Sequence, residues 1–204
     1  MQGSLPELFN RNESQLRVFR LENSGLEGTI PDGFLNKSPV ESLVLSGLKV
    51  VGSIPESLYD LTDLQQLYLN DNTGLTGSIS PSIKKLSNLV DLRLSNTQIG
   101  GRIPDEIFEL SRIEEIDFSN ADFRGPISNS FVSLSDSVKR LYLHNNNFVG
   151  TVPADFGMLS NLNELTLHEN LLSGNVSPTI CALDLRILTA SCEEVSCSCC
   201  TMCF

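Results

Sequence analysis

Residues 162–178 read LNELTLHENLLSGNVSP, and the pattern in this stretch decides the fold. Its first, fourth and sixth positions are Leu162, Leu165 and Leu167. Apolar residues in this alternation are typical of a short strand with one buried face. The Gly, Val, Ser and Pro that follow, Gly174 to Pro178, indicate a turn and a second extended segment, because proline tends to stand where a strand ends.

The same pattern recurs along the whole chain. Its first apolar position returns every 24 or 25 residues. Such self-similarity predicts a solenoid, in which short strands of successive repeats pair in parallel about 4.8 Å apart. One further buried residue and a Leu late in each repeat predict a 3₁₀ or single helical turn on the convex side. The first positions of the seven repeats are Leu16, Val40, Leu64, Leu89, Ile113, Val138 and Leu162.

Two polar columns support this repeat. The thirteenth position is glycine in every repeat, which predicts a positive φ or a close backbone approach. The ninth position is Asn72, Asn146 or Asn170 in three repeats, where a carboxamide can bond backbone groups of the inward turn. Leu48 and Ala121 interrupt this asparagine column, so we expect looser stacking at those two turns. The glycines are Gly28, Gly52, Gly77, Gly101, Gly125, Gly150 and Gly174.

Composition excludes several classes of function. With 14 Lys and Arg against 25 Asp and Glu, the net charge of −11 argues against a general nucleic-acid binder. No apolar run reaches the roughly 20 residues that a membrane span needs. Common catalytic and phosphate-binding motifs are absent, and two histidines offer few candidates for a general base. We therefore expect neither an enzyme nor a cofactor.

Six cysteines lie at the carboxyl end of the chain. An even number in a terminal cluster predicts three disulfides that close the open end of the core. Six cysteines allow about 15 pairings, among which the sequence does not choose. A zinc site is the alternative, because four closely spaced thiolates can hold this metal. The disulfide candidates are Cys181, Cys192, Cys197, Cys199, Cys200 and Cys203.

Outward-facing positions of the predicted sheet carry the candidate ligand-binding residues. Tyr and Arg on a rigid strand bury contact area at a low cost in entropy, although they are also ordinary residues for an exposed strand. Two histidines fall in the same column of adjacent repeats, which predicts either a pH-sensitive contact or two solvated side chains. The candidates are Tyr68, Arg93, Arg140, Tyr142, His144 and His168.

Charge on this surface is uneven. Glu114, Glu115 and Asp117 form a predicted acidic patch in one repeat, and Lys139 and Arg140 form a basic patch in the next. Such patches can orient a protein or peptide partner, or they can simply keep the solenoid soluble.

Three segments read as N-glycosylation sequons, which matter only if the chain is secreted. Asn and Ser are both abundant, so such triplets also arise by chance. The candidate acceptors are Asn12, Asn36 and Asn175.

The segments GLEGTIP, VVGSIP, QIGGRIP and NFVGTVP resemble the plant-type leucine-rich repeat of receptor-like kinase ectodomains, receptor-like proteins and polygalacturonase-inhibiting proteins. The resemblance covers essentially residues 1–190 and implies an α/β solenoid. In this fold a right-handed superhelix has a concave parallel sheet, a second set of short strands and 3₁₀ or helical turns on the convex side. We place a partial repeat at 1–15, seven full repeats at 16–184 and a cysteine-rich cap at 185–204.

The resemblance also implies a function. We expect a non-catalytic recognition module that binds a protein, peptide or glycan through its concave or lateral face, with a co-receptor as a further partner. An inhibitor of a wall-degrading hydrolase and an intracellular scaffold with a metal-binding tail are the alternatives. The opening residues MQGSLPELFN lack the features of a secretory signal, so we expect an extracellular fragment whose signal peptide lies upstream.

Overall fold

The computed structural model describes residues 15–36 and 38–204. Most of the predicted partial repeat at 1–15, including Asn12, lies outside these residues. The described residues form seventeen short strands. The strands are β1 (Val18–Glu22), β2 (Glu27–Gly28), β3 (Ser42–Ser46), β4 (Lys49–Gly52), β5 (Gln66–Tyr68), β6 (Gly74–Gly77), β7 (Asp91–Arg93), β8 (Gln98–Gly101), β9 (Glu115–Asp117), β10 (Asp122–Pro126), β11 (Arg140–Tyr142), β12 (Asn147–Thr151), β13 (Glu164–Thr166), β14 (Leu171–Asn175), β15 (Ile187–Ala190), β16 (Val195–Ser196) and β17 (Met202–Cys203).

The strands alternate between two parallel sheets. Odd-numbered strands form a nine-stranded sheet in chain order, from β1 to β17, and even-numbered strands form an eight-stranded sheet from β2 to β16. Register follows the repeat, so that each strand pairs with the strand one repeat later. One apolar column therefore runs through the whole first sheet, and the predicted solenoid is confirmed. The column contains Leu43, Leu67, Leu92, Ile116, Leu141, Leu165 and Leu188, all buried.

Short helical turns close the repeats, as predicted. Each turn is preceded by a Pro or a Ser. Where it is a Ser, as at Ser80, Ser128 and Ser177, the hydroxyl caps the turn by accepting a hydrogen bond from the amide two residues later. The turns that follow Pro55, Pro104 and Pro153 have no such side-chain cap. The 3₁₀ turns are Glu56–Asp60, Pro81–Lys85, Asp105–Glu109, Asn129–Leu134 and Ala154–Met158, and a short α-helix, α1, covers Pro178–Cys181.

Aromatic side chains fill the core of the middle repeats. Phe118 stacks on Phe123 with ring centroids 4.6 Å apart, and Phe123 lies parallel to Phe148 of the next repeat. Phe131 makes edge contacts with Phe108 and Phe156 on the helical side. Edge-to-face and offset pairs of this kind add stabilisation beyond that from buried area alone.

Two columns of each repeat adopt positive φ. The glycines of the thirteenth position do so, with φ of 82° to 111°, as predicted. The eighth position is also left-handed, and here the chain supplies asparagine, aspartate or glycine in every repeat except the last, where Glu169 has φ 54°. This second column is not among the features predicted from the sequence, although Asn, Asp and Gly are the residues that tolerate such a backbone.

Asparagines of the ninth position satisfy two turns each. Asn72 donates to the carbonyl oxygen of Leu45 at 2.6 Å and accepts from the amide of Val50 at 3.1 Å, both in the preceding repeat. It also donates to the Leu69 carbonyl in its own repeat. Asn72 thus pairs the backbone groups at the turn where Leu48 stands, and that turn is not left without partners.

The second gap in this column is filled in the same way. Asn146 donates to the Phe118 carbonyl at 2.7 Å and accepts from the Phe123 amide at 2.9 Å, on either side of Ala121. Both residues that interrupt the column are therefore followed, one repeat later, by an asparagine that serves their turn. Our physical reason for expecting looser stacking at Leu48 and Ala121 was wrong.

The carboxyl-terminal segment closes the solenoid with three disulfides. They are Cys181–Cys199, Cys192–Cys203 and Cys197–Cys200, and none of the six cysteines is free. The disulfide prediction is confirmed, and the alternative of a thiolate zinc site is not. Strands β15, β16 and β17 of the predicted cap extend both sheets of the solenoid.

No helix in the described part of the chain has the length and apolar character to cross a membrane.

Candidate functional site

The candidate site is the surface of the nine-stranded sheet that faces away from the core, which we call the binding face. Its side chains form three rows that cross the strands, each taking one residue from every repeat about 4.8 Å apart. The first row includes Gln66, Asp91, Glu115, Arg140 and Glu164, the second Tyr68, Arg93, Asp117, Tyr142 and Thr166, and the third Asn70, Ser95, Ser119, His144 and His168.

All six predicted binding residues lie on this face. Tyr68, Arg93 and Tyr142 belong to the second row, Arg140 to the first, and the two histidines to the third. The structure thus brings the candidates together on one surface. Whether they bind a ligand stays a prediction.

Asp91 organises the first cluster on the binding face. The Tyr68 hydroxyl donates to Asp91 Oδ2 at 2.5 Å. The Arg93 guanidinium makes a bidentate contact with the same carboxylate, from Nε to Oδ1 and from Nη2 to Oδ2, at 3.0 Å each. Arg93 Cζ also lies 4.5 Å from the centroid of the Tyr68 ring, in a cation–π arrangement. Burial and the bond to Asp91 raise the pKa of Tyr68 to about 12, so the phenol stays protonated.

Glu115 links this cluster to the next repeats. It is buried between Arg93, whose Nη2 lies 3.0 Å from Oε1, and Arg140, whose Nε contacts Oε2. Burial by itself lowers the pKa of Arg93, but the hydrogen bond to Asp91 and the charges of Asp91 and Glu115 outweigh it, and the net shift is upward. A buried carboxylate shared by two arginines keeps both guanidinium groups in place.

Glu164 plays the same part for Tyr142. The Tyr142 hydroxyl donates to Glu164 Oε2, while Arg186 pairs with Oε1 of the same buried carboxylate. Burial is the main cause of the raised pKa of Tyr142, followed by the charge of Glu115. Asp91 and Glu164, which anchor these side chains, are not among the candidates predicted from the sequence, because each is defined as an anchor by partners in other positions or repeats.

The predicted acidic and basic patches are not separate surfaces. Lys139 Nζ lies 2.8 Å from Glu114 Oε2, and Arg140 pairs with Glu115 across the adjacent strands. The two patches therefore neutralise each other by cross-strand ion pairs. Asp117 is the member that takes no part in this pairing.

The two histidines form a stack. Their ring centroids lie 4.5 Å apart with an interplanar angle of 10°, and the Phe204 ring stacks on His168 at 3.8 Å. His144 Nδ1 is 2.8 Å from Thr166 Oγ1, and His168 Nδ1 is 2.6 Å from Thr189 Oγ1.

Burial is the first cause of a lowered pKa in both histidines, and the neighbouring His144 lowers the pKa of His168 further. Asp117 opposes this shift at His144, and Glu169 opposes it at both rings. Phe204, Thr166 and Thr189 were not predicted from the sequence as partners of the histidines. They come from other repeats or from the end of the chain, and they reach the rings only in the folded sheet.

Other candidate sites lie away from this face. Asn36 and Asn175 are exposed, as glycan acceptors must be, and their glycosylation stays a prediction. A cleft of about 200 Å³ on the other side of the solenoid is lined by Arg102, Ile103, Asp105, Pro126 and Ser128. The described residues contain no group of three or more His, Cys, Asp or Glu side chains that could hold a metal ion.

Comparison with known proteins points to a single family. The Leucine Rich Repeat family model matches residues 88–110 and 137–159, which belong to two of the repeats. A search of curated proteins finds no match. The PEPR1–AtPEP1 structure is 31% identical to this chain with a TM-score of 0.84, covering 97% of this chain and 27% of that one.

Two further solved structures are informative. The Arabidopsis receptor kinase HAESA, solved with the peptide hormone IDA and the co-receptor SERK1, is 32% identical with a TM-score of 0.76, and the match covers 86% of this chain and 29% of that one. The leucine-rich repeat ectodomain of the receptor kinase SOBIR1 from Arabidopsis thaliana is 33% identical with a TM-score of 0.56. The match covers 60% of this chain and 68% of that one. This chain therefore spans less than a third of the two larger receptors and about two thirds of SOBIR1. From the repeat pattern, the two parallel sheets and these identities, the chain belongs to the plant-type leucine-rich repeat family.

Proposed function

We propose that the chain is a non-catalytic recognition module that binds a peptide across the binding face, as part of an extracellular receptor or secreted protein. HAESA, to which it is similar, was solved with a peptide hormone and a co-receptor, and RGFR1, 26% identical, with RGF2. A co-receptor is proposed as a second partner on the same ground. Protein and glycan ligands are the alternatives within this function.

The observation that carries the proposal is the preorganisation of the binding face. Tyr68, Arg93, Arg140 and Tyr142 are half-buried side chains, and each is held by a buried carboxylate. Side chains that are already ordered lose little conformational entropy when a ligand binds. Tyr and Arg are also the residues that most often dominate binding energy at protein interfaces.

An extracellular location is supported by the cysteines and the sequons. Three disulfides persist in an oxidising compartment and are rare in the cytosol. If the chain is secreted, Asn175 is available as a glycan acceptor. Secretion from plant cells followed by glycosidase treatment should reduce its apparent mass, and Asn175→Gln should remove part of that shift.

No observation favours the two other functions. An intracellular metal-binding tail needs free thiolates, and all six cysteines are paired. None of the solved structures described above is an inhibitor of a wall-degrading hydrolase.

A binding experiment tests the proposed function. A library of random 12-residue peptides displayed on phage would be selected on the immobilised 204-residue chain, and enriched peptides would be synthesised for fluorescence anisotropy. We expect Tyr142→Ala to weaken binding about 10-fold, because the ring is half-buried at the centre of the face. Lys84→Ala is the control, since Lys84 lies on a convex 3₁₀ turn. Failure to enrich any peptide, or equal affinity for Tyr142→Ala and the unchanged chain, would contradict the proposal.

A further inference from the structure

The charges on the central strands of the binding face are balanced except at one residue. Strands β3 to β15 of the nine-stranded sheet carry four carboxylates, namely Asp91, Glu115, Asp117 and Glu164. Three of them are paired with arginines: Asp91 with Arg93, Glu115 with Arg93 and Arg140, and Glu164 with Arg186.

Asp117 forms no ion pair with any described residue, and it lies on β9, the fifth of the nine strands. The centre of the face thus carries one carboxylate whose charge is not compensated by any arginine or lysine in the part of the chain that the structure describes.

The Asp117 side chain is held in a fixed orientation. Its Oδ1 atom accepts a hydrogen bond from the Ser119 amide at 3.1 Å and another from the Ser119 hydroxyl at 2.6 Å. Its Oδ2 atom has no hydrogen-bond partner in residues 15–36 and 38–204. The side chain is only partly buried, so this second oxygen is available to a donor that arrives from solvent.

The neighbours of Asp117 in its own row do not occupy this place. Register puts Arg93 on one side of Asp117 and Tyr142 on the other. The Arg93 guanidinium is turned towards Asp91 and Glu115 in the first row, and the Tyr142 hydroxyl is turned towards Glu164. Both side chains are held away from Asp117 by the buried carboxylates, which leaves a negatively charged position bordered by a guanidinium on one side and a phenol on the other.

We propose that Asp117 receives a basic side chain, arginine or lysine, of the peptide ligand. This inference rests on the proposed function and adds the chemistry of the ligand to it. A guanidinium or ammonium group would donate to the open Oδ2 atom and supply the charge that the sheet lacks. The chain's net charge of −11 would also speed the approach of a basic peptide.

Among the described residues, His144 is the titratable side chain that could take the place of the ligand's cation. It lies close enough that the charge of Asp117 raises its pKa, against the larger lowering effect of burial. Protonated His144 would therefore compete with a basic ligand for Asp117. Binding is best measured at pH 7.5, where the lowered pKa of His144 leaves the imidazole neutral.

The test uses the same phage library on three versions of the 204-residue chain. Selection on the unchanged chain should enrich Arg or Lys at one position of the peptides, and selection on Asp117→Asn should lose that enrichment. Asn has the same shape as Asp and keeps an oxygen for Ser119, so this variant should unfold at the same temperature. Asp122→Asn is the matched control, because Asp122 is an exposed carboxylate on β10 of the other sheet, bonded to Asn147.

A peptide pair then isolates the contact. An enriched peptide would be synthesised with its basic residue and again with citrulline, the neutral analogue of arginine, at that position. We expect citrulline to weaken binding about 10-fold on the unchanged chain and on Asp122→Asn, and less than about 2-fold on Asp117→Asn. Enriched peptides without a basic residue, or an equal citrulline effect on Asp117→Asn, would overturn this inference and leave the proposed function standing. If no peptide is enriched on any version, both fail.

Discussion

At the scale of single residues, the repeat places strong demands on two polar positions. The eighth position needs a left-handed backbone, which Asn and Gly adopt more readily than other residues. The ninth position needs a carboxamide that reaches both its own turn and the turn of the preceding repeat. The first requirement can be tested at Glu169, which is poorly suited to the left-handed backbone. The second can be tested at Asn146, which serves two turns by itself.

Glu169 is the residue that meets the first requirement poorly. Its φ of 54° is unfavourable for a glutamate, and Asn occupies the same position in four earlier repeats with φ from 48° to 55°. We expect Glu169→Asn to raise the free energy of unfolding by about 0.5–1 kcal/mol, measured by urea denaturation. Glu193→Asn, the same change at an exposed residue with negative φ, should leave it unchanged. An equal effect at the two positions would argue against backbone strain as the cause.

Asn146 meets the second requirement for two turns. In Asn146→Ala, the Phe118 carbonyl and the Phe123 amide are buried without hydrogen-bond partners. Both groups belong to the preceding repeat, whose own ninth residue is Ala121 and offers no carboxamide. We expect a loss of about 2–4 kcal/mol in the free energy of unfolding. The adjacent Asn147 is exposed and bonds Asp122 alone, so Asn147→Ala should cost less than about 1 kcal/mol. A similar loss of unfolding free energy for both variants would show that the asparagine column of the ninth position is not what stabilises these turns.

At the scale of elements, neighbouring strands place side chains side by side that are about two dozen residues apart in the chain. The stacked rings of His144, His168 and Phe204 come from the ends of three strands of the same sheet. The carboxylates of Asp117 and Glu169 face the histidine rings, and the hydroxyls of Thr166 and Thr189 bond them. Burial dominates over these carboxylates, so the imidazoles are held in their neutral form.

This stack predicts a dependence of stability on pH. The pKa of each histidine is lower in the folded chain than its ordinary value of 6.5, so the unfolded chain binds more protons in this range. The contribution of the stack is therefore present above pH 6.5 and is lost as pH falls through 6.5 towards the folded-state pKa. Urea denaturation at pH 7.5 and 5.0 should show a larger loss for the unchanged chain than for the double variant His144→Gln and His168→Gln. Parallel losses in the two proteins would refute the prediction.

At the scale of the whole molecule, the solenoid is a stack in which each repeat contacts mainly its neighbours, so its ends are where the stack needs closing. The described carboxyl end achieves this by continuing both sheets into β15, β16 and β17 and by joining them with disulfides. Cys181–Cys199 connects α1, the helix of the last full repeat, to this segment, whereas Cys197–Cys200 lies within it.

The three disulfides should therefore contribute unequally. A sequence separation of 18 for Cys181–Cys199, against 3 for Cys197–Cys200, corresponds to about 3 and about 1.5 kcal/mol in the chain-entropy description. We expect Cys181→Ser with Cys199→Ser to lower the free energy of unfolding about twice as much as Cys197→Ser with Cys200→Ser. Mass spectrometry of proteolytic fragments would first verify that the remaining pairs are unchanged. A larger loss for the shorter loop would contradict this ranking.

The repeat, its strands and its glycine column could be read from the sequence because each depends on local spacing. One strand segment carries the alternating apolar residues Leu162, Leu165 and Leu167, and Gly174 provides the positive φ that its own backbone position needs. The binding face could be assigned for the same reason, since alternation alone decides which side chains point away from the core.

What only the tertiary structure decided is which side chains meet. Asp91 and Glu164 became anchors, and Asp117 did not, because of where arginines and tyrosines of other positions and repeats direct their polar groups. The pairing of six cysteines and the stack of Phe204 on His168 have the same origin. Repetition determines that two repeats lie side by side, but the contacts between their side chains depend on the residues that deviate from the repeat, and those combine only once the strands are stacked.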